Sequence, residues 1–320
     1  MAAQARMRSA KVLLINLGGL GTEIAKNLVL SGVGFLSLVD NHDVSEGDLS
    51  TQFFLSKDEI GTKRLDSAIS RIQDMNPRVT LTVDTEDFRQ KPDSFYGQFD
   101  LIIATDVSTE EAIRVNQLTR KFNVPFFLCG LNGLSGFIFV DLIRFDATDE
   151  KLKSSVKTPL GALSQNREVV EVTEYLNEEQ SEVYERIVTR NAYKPFEQVL
   201  KEGTLKGKLT KRQVKRLTNA VPLTFALFSY RDGYAAVTRH DLEQRATDAC
   251  VQLGLPSENL KQEYVEQFSQ QAGLEFAPVS AVIGGTVAQD VINILGKKQS
   301  PLNNFIVLDG ISLDMHIFEL

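Results

Sequence analysis

The stretch 11–76 constrains the fold more than any other part of this chain. It opens with an apolar, β-branched run, Val12, Leu13, Leu14 and Ile15, and turns through Asn16, Leu17, Gly18, Gly19, Leu20 and Gly21. A helix follows, with Leu20, Ile24 and Leu28 on one face and Ser31-Gly32 to stop it; a second apolar run, 35–39, ends at Asp40. Strand, turn, helix and strand in this order form a βαβ unit, whose two strands lie parallel in one sheet. Glycines at such a turn let the backbone approach an anion, and the new helix offers its unpaired N–H groups and positive dipole end. An acidic residue closing the second strand about 20 residues on can accept hydrogen bonds from ribose hydroxyls. Gly18, Gly19, Gly21 and Asp40 are the positions through which this unit would hold a nucleotide. The same glycines also suit a plain tight connection, and Asp40 also suits a cap of the following turn. Asn16 departs from the fingerprint, because a non-glycine resists positive φ and adds bulk beside a phosphate.

At 320 residues the chain has room for a substantial core and, by length, about two domains. Hydrophobic residues at 42% and charged residues at 24% are a globular balance, with no internal repeat or low-complexity stretch. A net charge of −7 speaks against general nucleic-acid binding. No apolar run is expected to approach the roughly 18 residues that would span a membrane, and the N-terminus has no apolar signal core. Cys129 and Cys250 give neither a disulfide framework nor a metal spacing, which fits a reducing compartment.

The organisation reads as α/β, a different middle, and α/β again. A second helix is expected over residues 58–75, ended by Asn76-Pro77 because the residue before proline avoids the helical region. Strands at 79–83, 101–104 and 125–128 and a helix over 110–122 follow; such apolar runs suit a parallel sheet covered on both faces. Residues 137–143 read as a long strand antiparallel to its neighbours. From 146 to 273 the alternation stops, and the charged, helical-looking pattern, for example over 174–190, suggests an inserted, mainly helical subdomain. Residues 281–295 read as a helix whose small side, Gly284, Gly285 and Ala288, permits close packing, and strands at 305–308 and 311–318 complete the layer. The expected divisions are 1–145, 146–273 and 274–320.

These residues also carry a resemblance. Gly18-Gly19-Leu20-Gly21, Asp40 with Asp43-Val44, Gln52-Phe53-Phe54-Leu55, Asp58-Glu59-Ile60-Gly61, Asn76-Pro77, Asp106 and Phe276-Ala277-Pro278-Val279 together resemble the adenylation domain of ubiquitin-type activating enzymes. The middle, in Tyr184-Glu185-Arg186-Ile187 and Leu209-Thr210-Lys211-Arg212-Gln213, and the ending from Pro301 to Gly310, are similar to the small-subunit branch found in fungal SUMO-activating heterodimers. The resemblance implies a Rossmann-like adenylation fold of the ThiF/MoeB type with a mixed sheet. Relatives of this kind usually begin with a Tyr-Asp-Arg-Gln-like segment upstream of the position of Ala2.

Adenylating a carboxylate on ATP builds negative charge at the phosphates, so an active site supplies cations and Mg²⁺ ligands there. Active members carry an Asn-x-x-Arg pair where this chain has Asp48 and Thr51. Their catalytic lysine matches Arg64, which keeps a positive charge but not a compact ammonium. Asp106 matches the metal- or nucleotide-binding aspartate, although it could equally cap the helix near Thr109. The resemblance therefore implies a degenerate nucleotide site with no catalytic residue and no metal of its own.

Thioester chemistry needs an exposed, activated cysteine. Cys129 ends a buried strand and Cys250 sits in an apolar-periodic helix, so neither is expected to act as nucleophile. His42, His240 and His316 are scattered without metal spacing. The basic run Lys206, Lys208, Lys211, Arg212, Lys215, Arg216 reads as a solvated helix face, a nuclear-import signal or a partner surface.

Three functions are compatible with the motifs. The first is the non-catalytic half of a 1:1 SUMO-activating heterodimer, in which the larger subunit holds ATP and Mg²⁺ and meets SUMO and the SUMO-conjugating enzyme. It would act in the nucleus, with the cytoplasm as a second location, and with neither membrane nor nucleic acid as partner. The second is a self-sufficient homodimeric adenylyltransferase of the bacterial sulfur-carrier type, opposed by the missing Asn-x-x-Arg pair and the absence of Cys-x-x-Cys zinc pairs. The third is a nicotinamide-dependent dehydrogenase, opposed by the degenerate fingerprint.

Overall fold

The computed structural model describes residues 2–177, 182–297 and 300–320. After a short helix α1 (Ala2–Ser9), the chain alternates through β1 (Lys11–Ile15), α2 (Gly19–Ser31), β2 (Phe35–Val39), α3 (Arg64–Met75) and β3 (Thr80–Asp84). A one-turn helix α4 (Asp93–Tyr96), β4 (Leu101–Thr105), α5 (Thr109–Lys121), β5 (Phe126–Asn132) and β6 (Ser135–Asp141) continue the layer. The second half begins with four strands, β7 (Arg144–Leu152), β8 (Gly161–Ala162), β9 (Arg167–Asn177) and β10 (Glu182–Ala192). Helices α6 (Phe196–Glu202), α7 (Lys211–Arg216), α8 (Ala220–Leu227), α9 (Arg239–Leu253), α10 (Gln262–Gln271) and α11 (Ala277–Gly296) follow, and β11 (Phe305–Asp309) and β12 (Asp314–Phe318) close the chain.

The main sheet has eight strands in the order β12-β11-β6-β5-β4-β1-β2-β3. The five from β5 to β3 are parallel, whereas β6, β11 and β12 are antiparallel, so the mixed sheet expected from the sequence is present. Helices cover both faces. One core packs Leu20, Ile24, Leu28, Ile72, Ile283 and Val287 from α2, α3 and α11 against the sheet, and the other packs α5, α6, α8, α9 and α10, with Phe228 edge-on to Phe137, Phe225 and Phe305 at its centre. Gly284 of α11 crosses α2 so closely that a Cβ there would lie 2.6 Å from Glu23 Cβ, which confirms its packing role. Gly285 faces open space and has no such role.

The structure corrects several expectations. The helical reading of 174–190 is wrong: its described residues lie in β9 and β10, which join β7 and β8 in a separate four-stranded antiparallel sheet. Val169, Val170, Val172, Tyr175, Ile187, Val188 and Thr189 suit a pleated surface. Charges that mimic helical spacing pair across strands instead, Arg190 with Asp146 and Arg186 with Glu150. Only from Phe196 onward is the middle helical, and those helices share a core with the main sheet. The helix expected over 58–75 begins at Arg64, after a 3₁₀ turn at Lys57–Glu59 and a left-handed Gly61 (φ 87°). Helix α11, 20 residues long with a mean hydropathy of 1.4, does meet the length and apolarity of a membrane span, but ten of its residues, including Ile283, Val287 and Val291, are buried in the core.

Candidate functional site

Strand β1 pairs with β2 on one side and β4 on the other, so their C-terminal ends flank the point where the connections reverse direction, the usual ligand crevice of such sheets. A cavity of about 700 Å³ opens there, lined by His42, Arg64, Arg89, Asp106, Tyr234 and Glu275 among others. Asn16 leaves β1 at φ 67°, and its side-chain amide donates to the carbonyls of Thr105 (2.9 Å) and Asp106 (3.0 Å). Those bonds direct its bulk into the β4 end and hold a left-handed turn that asparagine tolerates better than most residues.

The N-terminus of α2 is already occupied by an anion from the same chain. Gly19 N–H donates to Glu275 Oε2 at 2.6 Å and Leu20 N–H to Oε1 at 2.8 Å, while Thr51 Oγ1 donates to Oε2 at 2.9 Å. A Cβ at Gly19 would fall 2.7 Å from that oxygen, so the glycine that admits a phosphate in nucleotide sites here admits a carboxylate. In this arrangement a phosphate could reach these N–H groups only by displacing Glu275. Sequence reasoning missed Glu275. Its one signal is a carboxylate just ahead of α11, and the pairing with α2, 256 residues away, arises from the packing of α11 on α2. Glu275→Ala should cost about 1–3 kcal/mol in chemical denaturation, from lost charge-assisted bonds and dipole stabilisation. An unchanged midpoint would show that the contact contributes nothing.

Arg64 is buried at the first turn of α3 between two carboxylates. Its Nε lies 3.0 Å from Asp40 Oδ2, and Nη1 donates to Asp48 Oδ1 at 2.9 Å. Asp40 also accepts from Leu17 N–H (2.9 Å), His42 N–H (2.9 Å) and His42 Nδ1 (2.7 Å), so it caps its own turn and pairs with the cation at once. Asp48 further accepts from Ser45 N–H and Oγ. Burial alone would raise both carboxyls, yet His42 and Arg64 hold Asp40, and Ser45 and Arg64 hold Asp48, below the ordinary carboxylate range. Burial would lower the Arg64 value, and Asp40 and Asp48 raise it instead. The cation at the expected lysine position is thereby consumed within the protein.

Asp106, at φ 51°, does not cap α5; Ser108 does, in a reciprocal box with Glu111. Its carboxylate and that of Glu275 converge on Gly18, where a Cβ would lie 2.4 Å from Asp106 Oδ2 and 3.2 Å from Glu275 Oε1. Although the side chain opens into the cavity, surrounding protein raises it to about 7, by desolvation first and the Glu275 charge second, with Arg64 opposing. Gly18, Gly19, Gly21, Asp40, Asp48, Thr51, Arg64 and Asp106 thus lie around one crevice at the ends of β1, β2 and β4. Cys129 lines the cavity from β5 and Cys250 lies in α9; both are buried, and desolvation pushes both thiols up, Cys250 to about 11. Neither has the lowered value of a thiolate nucleophile. Among the described residues no cluster could hold a metal ion.

A family model described as the ThiF family matches residues 1–320. The chain belongs to the ThiF family. It is 50% identical over 322 residues to the DNA damage tolerance protein RHC31 of Saccharomyces cerevisiae, covering all of this chain and 93% of that one. It is 33% identical over 317 residues to human SUMO-activating enzyme subunit 1, covering 96% of this chain and 88% of the relative. Among solved structures, E. coli MccB with MccA-N7isoASN superposes with a TM-score of 0.54 at 15% identity, over 99% of this chain and 66% of MccB, a likeness of fold.

Proposed function

We propose that this chain is the non-catalytic subunit of a heterodimeric SUMO-activating enzyme, whose larger subunit binds ATP and Mg²⁺, adenylates SUMO and carries the thioester cysteine. The observation that carries this reading is the Glu275 carboxylate on the N–H groups of Gly19 and Leu20, where an active site would need those donors for phosphate. The Asp40–Arg64–Asp48 cluster supports it by withholding the remaining cation. The likeness to human SUMO-activating enzyme subunit 1 along nearly the whole chain supports the pathway. Exposed apolar side chains on the α2–α11 side, Leu30, Phe53, Phe276 and Val282, suit a core-like obligate interface.

Purified alone, the chain should give no ATP–pyrophosphate exchange with SUMO and should self-associate through that apolar surface. Mixed with the large SUMO-activating subunit it should sediment as a 1:1 complex that exchanges. Exchange by the isolated chain, or a monodisperse monomer that ignores the large subunit, would overturn the proposal. No reducible SUMO adduct should form on this chain; one lost on Cys129→Ala or Cys250→Ala would refute the assignment of the thioester to the partner. We propose that the complex acts in the nucleus and secondarily in the cytoplasm; a fluorescent fusion excluded from nuclei would contradict that.

A further inference from the structure

We infer that the open edge of β12 and the basic helix α7 form a docking groove for an extended acidic segment of a partner protein, added to the main sheet as a further strand. β12 ends the eight-stranded sheet and is hydrogen-bonded within it to β11 alone. Such an edge presents unpaired backbone groups unless something covers it. Two contiguous hollows of about 390 and 250 Å³ run along it, sharing Leu209, Ile317 and Phe318. Ile317, 56% exposed, makes an apolar floor, and Lys208, Arg212 and Arg216 make the rim.

The charge of that rim is what selects the occupant. Lys211, Arg212, Lys215 and Arg216 are exposed, and none is in an ion pair among the described residues, in a chain of net charge −7. Several exposed cations elsewhere do find carboxylates, as Arg190 does with Asp146 and Arg231 with Glu110. On α7 the pairs 211/215 and 212/216 set like charges one turn apart, which is unfavourable in a free helix and is relieved by an anionic ligand. A peptide alternating apolar and acidic residues would bond its backbone to β12, cover Ile317 and meet α7 with its carboxylates; main-chain bonds supply affinity and alternate side chains specificity in this mode.

The test uses the full chain and a fluorescent peptide alternating valine and glutamate, followed by anisotropy. Saturable binding is expected, weakening with salt. A weakening of at least about tenfold is expected in Arg212→Glu/Arg216→Glu. The same peptide with a central proline, which removes a ladder donor, should bind poorly. Ile317→Ser, which keeps the rim, should also weaken it, and amide exchange at 314–318 should slow on binding. Failure of the peptide to bind at millimolar concentration, or equal binding by the charge-reversed variant and by the proline peptide, would overturn the inference. Recognition of the basic run by an import receptor, with no binding of the acidic peptide, would overturn it too.

Discussion

Replacing Arg64 by methionine is expected to destabilise the protein by about 3–5 kcal/mol, because removal of one member of a buried ion cluster strands its partners. The Asp40 side chain is fully buried and that of Asp48 is 10% exposed, so their charges would lose the guanidinium with little water to replace it. Arg64→Lys should recover part of the loss, since an ammonium cannot span both carboxylates as the planar fork does. Asp40→Asn combined with Arg64→Met should lose less than the sum of the single changes. The pH dependence follows from the lowered native values of Asp40 and Asp48. Their stabilisation is complete above the unfolded carboxylate value of about 4 and fades as pH falls through the native values, so wild type and variant should converge in acid. A loss below about 1 kcal/mol in urea titration at pH 7 would mean that the cluster behaves as a solvated pair.

The parallel half of the fold was legible because its signals are local. Glycine turn, Ser31-Gly32 stop and Asn76-Pro77 break each fix a boundary by backbone sterics, and Gly32 indeed closes α2 at φ 78°. The β7–β10 sheet was not legible, because its strands satisfy their charges across neighbours. Arg186 reads as one residue of a charged helix until Glu150, 36 residues earlier, is seen opposite it. A period in charge along one strand does not distinguish a helical face from a ladder of cross-strand pairs.

The site was legible as a set of departures but not as an arrangement. Asp48 and Thr51 stand out where cations and neutral ligands are needed, and Arg64 where an ammonium is. What those residues do instead depends on tertiary neighbours: Thr51 hydrogen-bonds the internal carboxylate, and Asp48 binds Arg64. Glu275 has no motif at all, since a single acidic residue before a helix is common. It gains meaning only from the approach of α11 to the Gly18–Gly21 turn. The departures are therefore mutually consistent: a small hydroxyl at 51 leaves room for the Glu275 carboxylate on Gly19 N–H and donates to it.

Asp290→Asn is expected to stabilise the protein by about 2–4 kcal/mol at pH 8 while leaving it nearly unchanged at about pH 3, below both titrations. Asp290 lies on the buried side of α11, where its carboxyl accepts from Leu302 N–H at 3.2–3.3 Å. Burial raises it to about 7, with only that N–H opposing, so no cation offsets its ionisation. Because the native value is above the unfolded value of about 4, the native state holds the proton longer, and stability falls as pH rises between those two values, by at most about 1.4 kcal/mol per unit. Asparagine keeps an acceptor for Leu302 N–H and removes the titration. Asp106, raised into the same range, gives a slope of the same sign, so Asp290→Asn should flatten the stability curve in part and Asp106→Asn/Asp290→Asn further. Parallel stability–pH curves for wild type and Asp290→Asn between pH 5 and 8 would show that Asp290 is ionised without cost in the folded protein.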